Sequence, residues 1–367
     1  MSRVSIIRCT NYLTDNVFDA VKKAVDLIGG MSEFVKPGMK VLLKPNLLSS
    51  RPPEDAVDTH PEVVRAVARL VKAAGGEARL GDSPGGYGTN ITELFEISGM
   101  TKMAEEEGVG LVSFSKSKFV DGIPIAREIF ESDRVISIPK FKTHGVTILT
   151  AAIKNMYGAV VGVYKAECHA RAPREEEFAK IIAKVHSIAR PHLNILDGIV
   201  AMEGDGPSAG DLRNMNFVMA SADAVAIDSC LAKIVALDPL DILVTKEAYG
   251  MKLGEADLAR IEIAGDDINS FLAEDFKLPQ TTPLKLIPKR IINTLANLMR
   301  FKPHIDAAAC TRCNLCKLTC PVDVITIEKD SCRINYEKCV RCLCCHEVCP
   351  YKAILIKRSI INKIVWG

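Results

Sequence analysis

Ten of the chain's thirteen cysteines lie between Cys310 and Cys349, and eight of these fall into two runs of one spacing. The first is Cys310-Thr-Arg-Cys313-Asn-Leu-Cys316-Lys-Leu-Thr-Cys320-Pro321, and the second is Cys339-Val-Arg-Cys342-Leu-Cys-Cys345-His-Glu-Val-Cys349-Pro350. Thiolates are soft ligands suited to iron–sulfur chemistry. Three closely spaced ones can wrap three irons of one cubane. The fourth follows a turn and points elsewhere, so it serves the other cluster. The spacing predicts two [4Fe–4S] clusters, one held by Cys310, Cys313, Cys316 and Cys349, the other by Cys339, Cys342, Cys345 and Cys320. The competing chemistry is a pair of zinc sites. Zinc ribbons use paired Cys-x2-Cys knuckles and need neither the third cysteine nor a proline after the fourth. Disulfide scaffolds are normally short secreted chains, whereas most of this chain is poor in cysteine. Cys332 falls in a strand-like run and reads as a buried apolar residue. Cys344 has no iron in this register unless ligands are exchanged.

Such clusters transfer single electrons. The residues that could receive them lie upstream. Lys44 and Asn46 follow one strand-like run, and Asp82 follows another in Gly81-Asp-Ser-Pro-Gly-Gly86. Lys140, Lys142 and His144 alternate, so an extended backbone would put all three on one face, ready for a carboxylate, a phosphate or a metal. Lys154 and Asn155 interrupt an apolar stretch, where burial of a lysine is costly and shifts its pKa. Asp197, Glu203 and Asp205 follow a further strand. We assign Lys142, His144, Lys154 and Glu203 to orientation and proton transfer. Lys44, Asn46, Asp82, Lys140, Asn155, Asp197 and Asp205 are assigned to substrate binding. Each has a plainer alternative: a solvated turn lysine for Lys44, a turn or cap for Asp82, an exposed edge for residues 140–144, a flexible turn for Glu203 and Asp205. Gly85-Gly86 could approach a phosphate, but the loop is neither a P-loop nor a dinucleotide fingerprint. His60 reads as a helix-start residue.

The elements that must position these residues alternate along residues 1–275. Strand-like runs fall at 1–8, 39–43, 77–81, 134–138, 193–196, 216–220 and 260–264. Helical patterns fall near 16–29, 92–106, 148–160, 175–189 and 222–236, and one more opens at Thr59-His-Pro-Glu62, with Thr59 as cap and Glu62 returning the bond. The fold class expected is α/β: a mainly parallel sheet covered by helices, followed by a small α+β ferredoxin-like two-cluster domain. In such sheets ligands sit beyond the carboxyl ends of the strands, where these polar residues collect.

Residues 303–359, with short strands near Val324 and Cys332, resemble a two-cluster bacterial ferredoxin. Lys44-Pro-Asn46, Gly81-Asp-Ser-Pro-Gly85, Pro139-Lys-Phe-Lys-Thr-His144, Ala152-Ile-Lys-Asn-Met-Tyr-Gly158 and Leu196-Asp-Gly-Ile-Val-Ala-Met-Glu-Gly204 resemble the motifs of domain-of-unknown-function family 362. Members of that family often carry a C-terminal two-cluster module. A local similarity to lactate racemase-like proteins, a Lys-x-His segment before a small-residue helix, brings no nickel cofactor with it.

Residues 276–302 form a connector with an amphipathic helical pattern from Lys289 to Phe301, and 360–367 a basic tail. The connector could pack between domains or lie on a membrane surface, and the tail could dock an acidic redox partner. A formal net charge of +2 gives no case for nucleic acid. Neither a signal peptide nor a transmembrane segment is evident, so a cytoplasmic location is the default. The expected function is an oxidoreductase that passes electrons from two [4Fe–4S] clusters to a small anionic substrate in the α/β domain. The alternatives are a non-catalytic electron-transfer or scaffold protein for a redox partner protein, or a redox or iron sensor. The sequence names no further cofactor.

Overall fold

The computed structural model describes residues 1–85, 89–162, 164–172, 174–279 and 301–357. The strands are β1 (Ser2–Arg8), β2 (Lys40–Pro45), β3 (Glu77–Leu80), β4 (Gly110–Leu111), β5 (Ser117–Val120), β6 (Ile123–Ala126), β7 (Arg134–Ile138), β8 (Lys140–His144), β9 (Ile148–Thr150), β10 (Leu193–Glu203), β11 (Asp211–Ser221) and β12 (Ile261–Gly265). Ten of them form one sheet in the order β12-β1-β11-β10-β7-β2-β3-β4, with β8 beside β10 and β9 beside β8. Among these pairs, only those made by β11 and β9 are antiparallel. β5 and β6 make a separate hairpin.

The sheet is buried on both faces because its strands are apolar on both. In β2, Leu42 joins one core and Val41 and Leu43 the other, as a period of two demands. Because β2, β3, β7 and β10 are parallel, their carboxyl ends open on one edge. Pro139 ends β7, and the chain continues as β8, which leaves β2 and runs along β10 with Lys140 opposite Asp197 and Lys142 opposite Met202. That step carries Lys140, Lys142 and His144 past the end of β7 and buries them, so the exposed-edge alternative fails.

Three local expectations are corrected. The pattern at 148–160 is not one helix: Ile148–Thr150 is a strand, and only Ala152–Asn155 is α-helical before a 3-10 turn. Its apolar residues face core on all sides, so periodicity could not separate the pieces. The pattern at 92–106 breaks at Gly99 into two helices, Ile91–Ile97 and Met100–Glu107. The helix Pro61–Ala73 is capped by His60, whose Nδ1 accepts from Glu62 N–H. Thr59 instead donates to Ile138 O at 2.7 Å and accepts from Asn46 N–H, tying two strand ends together.

The C-terminal part consists of two antiparallel strand pairs, β13 (Lys302–Ile305) with β16 (Ile354–Lys357) and β14 (Ile325–Ile327) with β15 (Cys332–Ile334). Two short helices, Leu315–Thr319 and Cys344–Glu347, each carry the third cysteine of a run. The connector helix and the basic tail expected from the sequence lie outside the described residues.

Candidate functional site

The two cysteine runs share one backbone trace. Arg312 and Asn314, which flank Cys313, have positive φ, and so do Arg341 and Leu343, which flank Cys342. Asp323 and Lys352, three residues after each fourth cysteine, repeat the feature. Left-handed backbone at non-glycine residues is uncommon. Its recurrence at matched places means that both runs curl their thiols around a centre in the same way. Val324 N–H donates to Cys320 Sγ at 3.5 Å, and Ala353 N–H to Cys349 Sγ at 3.3 Å. Hydrogen bonds of this kind to ligating sulfurs tune cluster potential.

The fit to iron–sulfur clusters can be tested on the thiols' surroundings. Cys310, Cys313, Cys316 and Cys349 line one small space, together with Ile305, Ile327 and Ile354. Cys320 does not line it; its electrostatic neighbours are Cys339 and Cys345. Cys349 thus lies beside the first three cysteines of the first run, and Cys320 near Cys339 and Cys345 of the second. The first set rims a space walled largely by apolar side chains. Cys332, expected to be a core residue, is half-buried on the same space, beside Cys310 and Cys316. Cys344 is buried against Cys342 and points to the larger domain, in the field of Glu347.

At the strand ends of the larger domain, buried lysines pair with buried acids. Lys44 Nζ lies 2.7 Å from Asp82 Oδ1. Asp82 also accepts from Leu47 and Ser83 N–H. Lys140 Nζ lies 2.7 Å from Asp197 Oδ2 and 2.8 Å from Tyr12 Oη. Tyr12 donates to Asp197 Oδ1 and stacks on His60, whose N–H reaches Asp197 Oδ2. Burial pulls the pKa of both lysines down and the paired carboxylates oppose it. These pairs fix the architecture of the strand ends, and Gly158 shows how tightly. A Cβ there would sit 2.3 Å from Asp82 Oδ1 and 2.6 Å from Lys44 Nζ.

Lys142 and Lys154 are different. Lys142 Nζ donates to Val57 O at 2.5 Å. It feels Asp58, but no ion pair within 4 Å joins them. Lys154 has neither a hydrogen bond nor an ion pair among the described residues. Burial lowers its pKa, while Glu347 and Cys344 of the cysteine-rich module act to raise it. Asn155, beside it, donates to Lys44 O and Ser137 Oγ and accepts from Asn46 Nδ2. The short helix that bears both is held by Asp228, which accepts from Ala152 and Ile153 N–H.

The cysteine-rich module is planted on this edge. His144 Nε2 lies 3.0 Å from Glu347 Oε1. Ser208 Oγ donates to His346 O, and His346 Nε2 lies 3.1 Å from Asp205 O. Arg51 donates to Pro350 O. Leu343 presses on Gly145, where a Cβ would come within 2.9 Å of it.

The expected residues thus fall into groups. Lys142, His144, Lys154, Asn155 and Asn46 converge beside the module. Lys44 with Asp82 and Lys140 with Asp197 flank them as closed pairs. Asp205 meets the module through its carbonyl. Glu203 stands apart: it accepts from Lys277 N–H and pairs with Arg213 and Lys277. Sequence reasoning missed Tyr12, Asp58, Lys165 and Glu347. Lys165 ties down the loop after β3 through Ser83 and Pro84, and burial lowers its pKa to about 7. Glu347 could have been found, since it lies between two ligand cysteines of the second run.

The model of the domain of unknown function DUF362 matches residues 41–233, and that of a 4Fe-4S dicluster domain matches residues 302–350. The chain therefore carries iron–sulfur clusters and has an electron-transfer role. It is 34% identical over 264 residues to a thylakoid-associated protein of Synechocystis sp., covering 70% of this chain and 82% of that protein. Among solved structures, the lactate racemase apoprotein of Thermoanaerobacterium thermosaccharolyticum aligns at 12% identity and a TM-score of 0.41. That alignment covers 65% of this chain and 57% of the other, less than two thirds of its length. A Thermotoga maritima protein aligns at 13% identity and a TM-score of 0.36 over 66% of this chain and 60% of its own. Among the described residues, no helix is long and apolar enough to cross a membrane.

Proposed function

The chain belongs to the DUF362 family, and from that premise we propose that it is an oxidoreductase acting on a small anionic substrate held by Lys142 and Lys154, with His144 and Asn155 positioning them. The observation that carries this reading is that the helix Cys344–Glu347, which bears a cluster cysteine, contacts the lysine centre through Glu347 and His144. Two [4Fe–4S] clusters, held by Cys310, Cys313, Cys316 and Cys349 and by Cys339, Cys342, Cys345 and Cys320, supply single electrons when bound.

The chain's own residues do the rest. Lys142 and Lys154 attract and orient the anion. Desolvation lowers both pKa values, that of Lys142 to about 7, so Lys142 can act as a general acid near neutral pH. His144 Nδ1 accepts from Val146 and Thr147 N–H, which fixes the ring and leaves Nε2 aimed at the module. Asn155 and Asn46 hold the lysine-bearing helix against the strand ends. Burial of Lys142 and His144 strengthens the electrostatic contacts that they make.

The test is anaerobic purification, mass spectrometry of retained small molecules, and oxidation of the reduced clusters by candidate acceptors. Lys154→Ala and Lys142→Ala are expected to abolish acceptor-dependent oxidation while the electron paramagnetic resonance spectrum of the clusters survives. Retained turnover in both variants would refute the site.

A further inference from the structure

Hydrogen-bond accounting at the strand ends leaves several buried groups unsatisfied on segments that adjoin Lys142 and Lys154. Asp58 Oδ2, Thr150 Oγ1 and Asn46 Oδ1 are buried and have no hydrogen-bond partner among the described residues. Asp58 is 4% exposed and Thr150 2%. Buried polar atoms are paired almost without exception, and an unpaired group calls for a ligand, an ion or water. All three are tied to Lys142 and Lys154. Thr150 is the cross-strand partner of Lys142. Asp58 follows Val57, whose carbonyl takes one of the Lys142 protons. Asn46 is bonded to Asn155, the neighbour of Lys154.

The unsatisfied groups are of two kinds. An ammonium has three donors; Lys142 uses one and Lys154 none. The two remaining donors of buried Lys142, with the Thr150 hydroxyl, ask for an oxyanion, and half-buried Lys154 adds a second positive charge beside them. Asp58 Oδ2 and Asn46 Oδ1 ask for a donor. A plain anion would satisfy the lysines and leave Asp58 facing a like charge. A plain cation would satisfy Asp58 and face two lysines.

We propose that Lys142, Lys154, Thr150, Asp58 and Asn46 form a two-ended receptor for a small carboxylic acid bearing a hydroxyl or ammonium group beside the carboxylate. The carboxylate meets the two lysines and Thr150, and the adjacent O–H or N–H donates to Asp58 Oδ2 and Asn46 Oδ1. This rests on the strand-end site proposed above and names the chemistry of its substrate.

The test is isothermal titration calorimetry on the anaerobically purified full chain, in the oxidised state, with two matched sets of acids: glycolate, glycine and acetate, then malate, aspartate and succinate. In at least one set the hydroxy or amino acid is expected to bind about tenfold or more tighter than the unsubstituted acid, the loss that follows from leaving a buried acceptor unpaired. Asp58→Ala should reduce that preference to within about threefold. Asp58→Asn, which keeps an acceptor for Leu48 N–H, serves if the alanine variant does not fold. Thr150→Val should weaken all members alike. Equal affinities within both sets, undiminished preference in the Asp58 variants, or no binding by any member overturns the proposal. Binding without electron exchange with the clusters in either direction, neither oxidation of reduced clusters nor reduction of oxidised ones by the bound acid, leaves the receptor standing and refutes the oxidoreductase reading. Turnover of an unsubstituted acid bound as tightly as its hydroxy partner does the reverse.

Discussion

Glu347 Oε1, in the cysteine-rich module, lies 3.0 Å from His144 Nε2 at the end of β8. Both side chains are buried, and they join two parts of the chain that are more than two hundred residues apart. Removing one partner of a buried pair costs about 3–5 kcal/mol, because the other is left uncompensated. Glu347→Ala is therefore expected to loosen the module from the strand ends. Amide hydrogen exchange at Phe141–His144 should rise at least about tenfold, since each tenfold corresponds to about 1.4 kcal/mol. The cluster spectrum should persist. Unchanged exchange would mean that the other interface contacts alone hold the two parts together.

The Lys44–Asp82 pair makes a second prediction. Both groups are almost fully buried at 2.7 Å, and Gly158 gives them room. Lys44→Met should destabilise the larger domain by about 3–5 kcal/mol because it strands Asp82. The double variant Lys44→Met with Asp82→Asn should recover part of that loss, since no buried charge then remains. Gly158→Ala should resemble the single variant. Thermal midpoints under argon measure all three, and a double variant no more stable than the single one would contradict the assignment.

Much of this arrangement was legible in the sequence, for identifiable reasons. The cysteine spacing carries ligand geometry directly, so an exchange of Cys320 and Cys349 between the two groups can be proposed before any fold. The parallel strands announced themselves as apolar runs, and residues after them sit on one edge by topology alone. What the sequence could not give is which polar residues are spent on each other. Lys44 and Lys142 look alike as strand-end lysines. One is closed by Asp82 and the other faces Asp58 across a gap, and that difference depends on the packing of segments far apart in the chain. Glu203 stood in a promising Glu-Gly-Asp-Gly stretch, yet Arg213 and Lys277 occupy it. The segment 148–160 misled because apolar residues on every side erase the period that separates helix from strand.

The cysteine assignment predicts paired lesions. Cys349→Ser should damage the same spectral component as Cys313→Ser, because both thiols line one space with Cys310 and Cys316. Cys320→Ser should match Cys342→Ser, by its neighbours Cys339 and Cys345. Cys332→Ala and Cys344→Ala should keep the full iron content, whereas Cys310→Ala should lose about half of it. Cys332→Ala should shift only the component that the Cys313 variant damages, since its thiol stands beside Cys310 and Cys316. Iron analysis with electron paramagnetic resonance decides these outcomes, and a Cys320 variant that matched Cys313 would refute the exchange of fourth ligands.

Acid stability should report on His186. Its ring is 1% exposed in the helix Glu175–Ile188, and Nδ1 is buried without a hydrogen-bond partner among the described residues. Burial, with Arg190 adding to it, lowers the pKa from 6.5 to about 4. Between these values the unfolded chain takes up a proton that the folded chain does not. The stability is therefore complete above pH 6.5 and is lost as the pH falls toward 4, by up to about 1.4 kcal/mol per pH unit. His60 is lowered to about 4 as well, chiefly by burial, and contributes in the same direction. His192 is lowered too, by burial first, and His186→Leu removes one of the three groups while filling the same apolar site. Its thermal midpoint should fall less than that of the wild type between pH 6.5 and 5, and adding His60→Gln should reduce that fall further. Parallel pH profiles for wild type and His186→Leu would show that the buried ring already carries a proton in the folded chain.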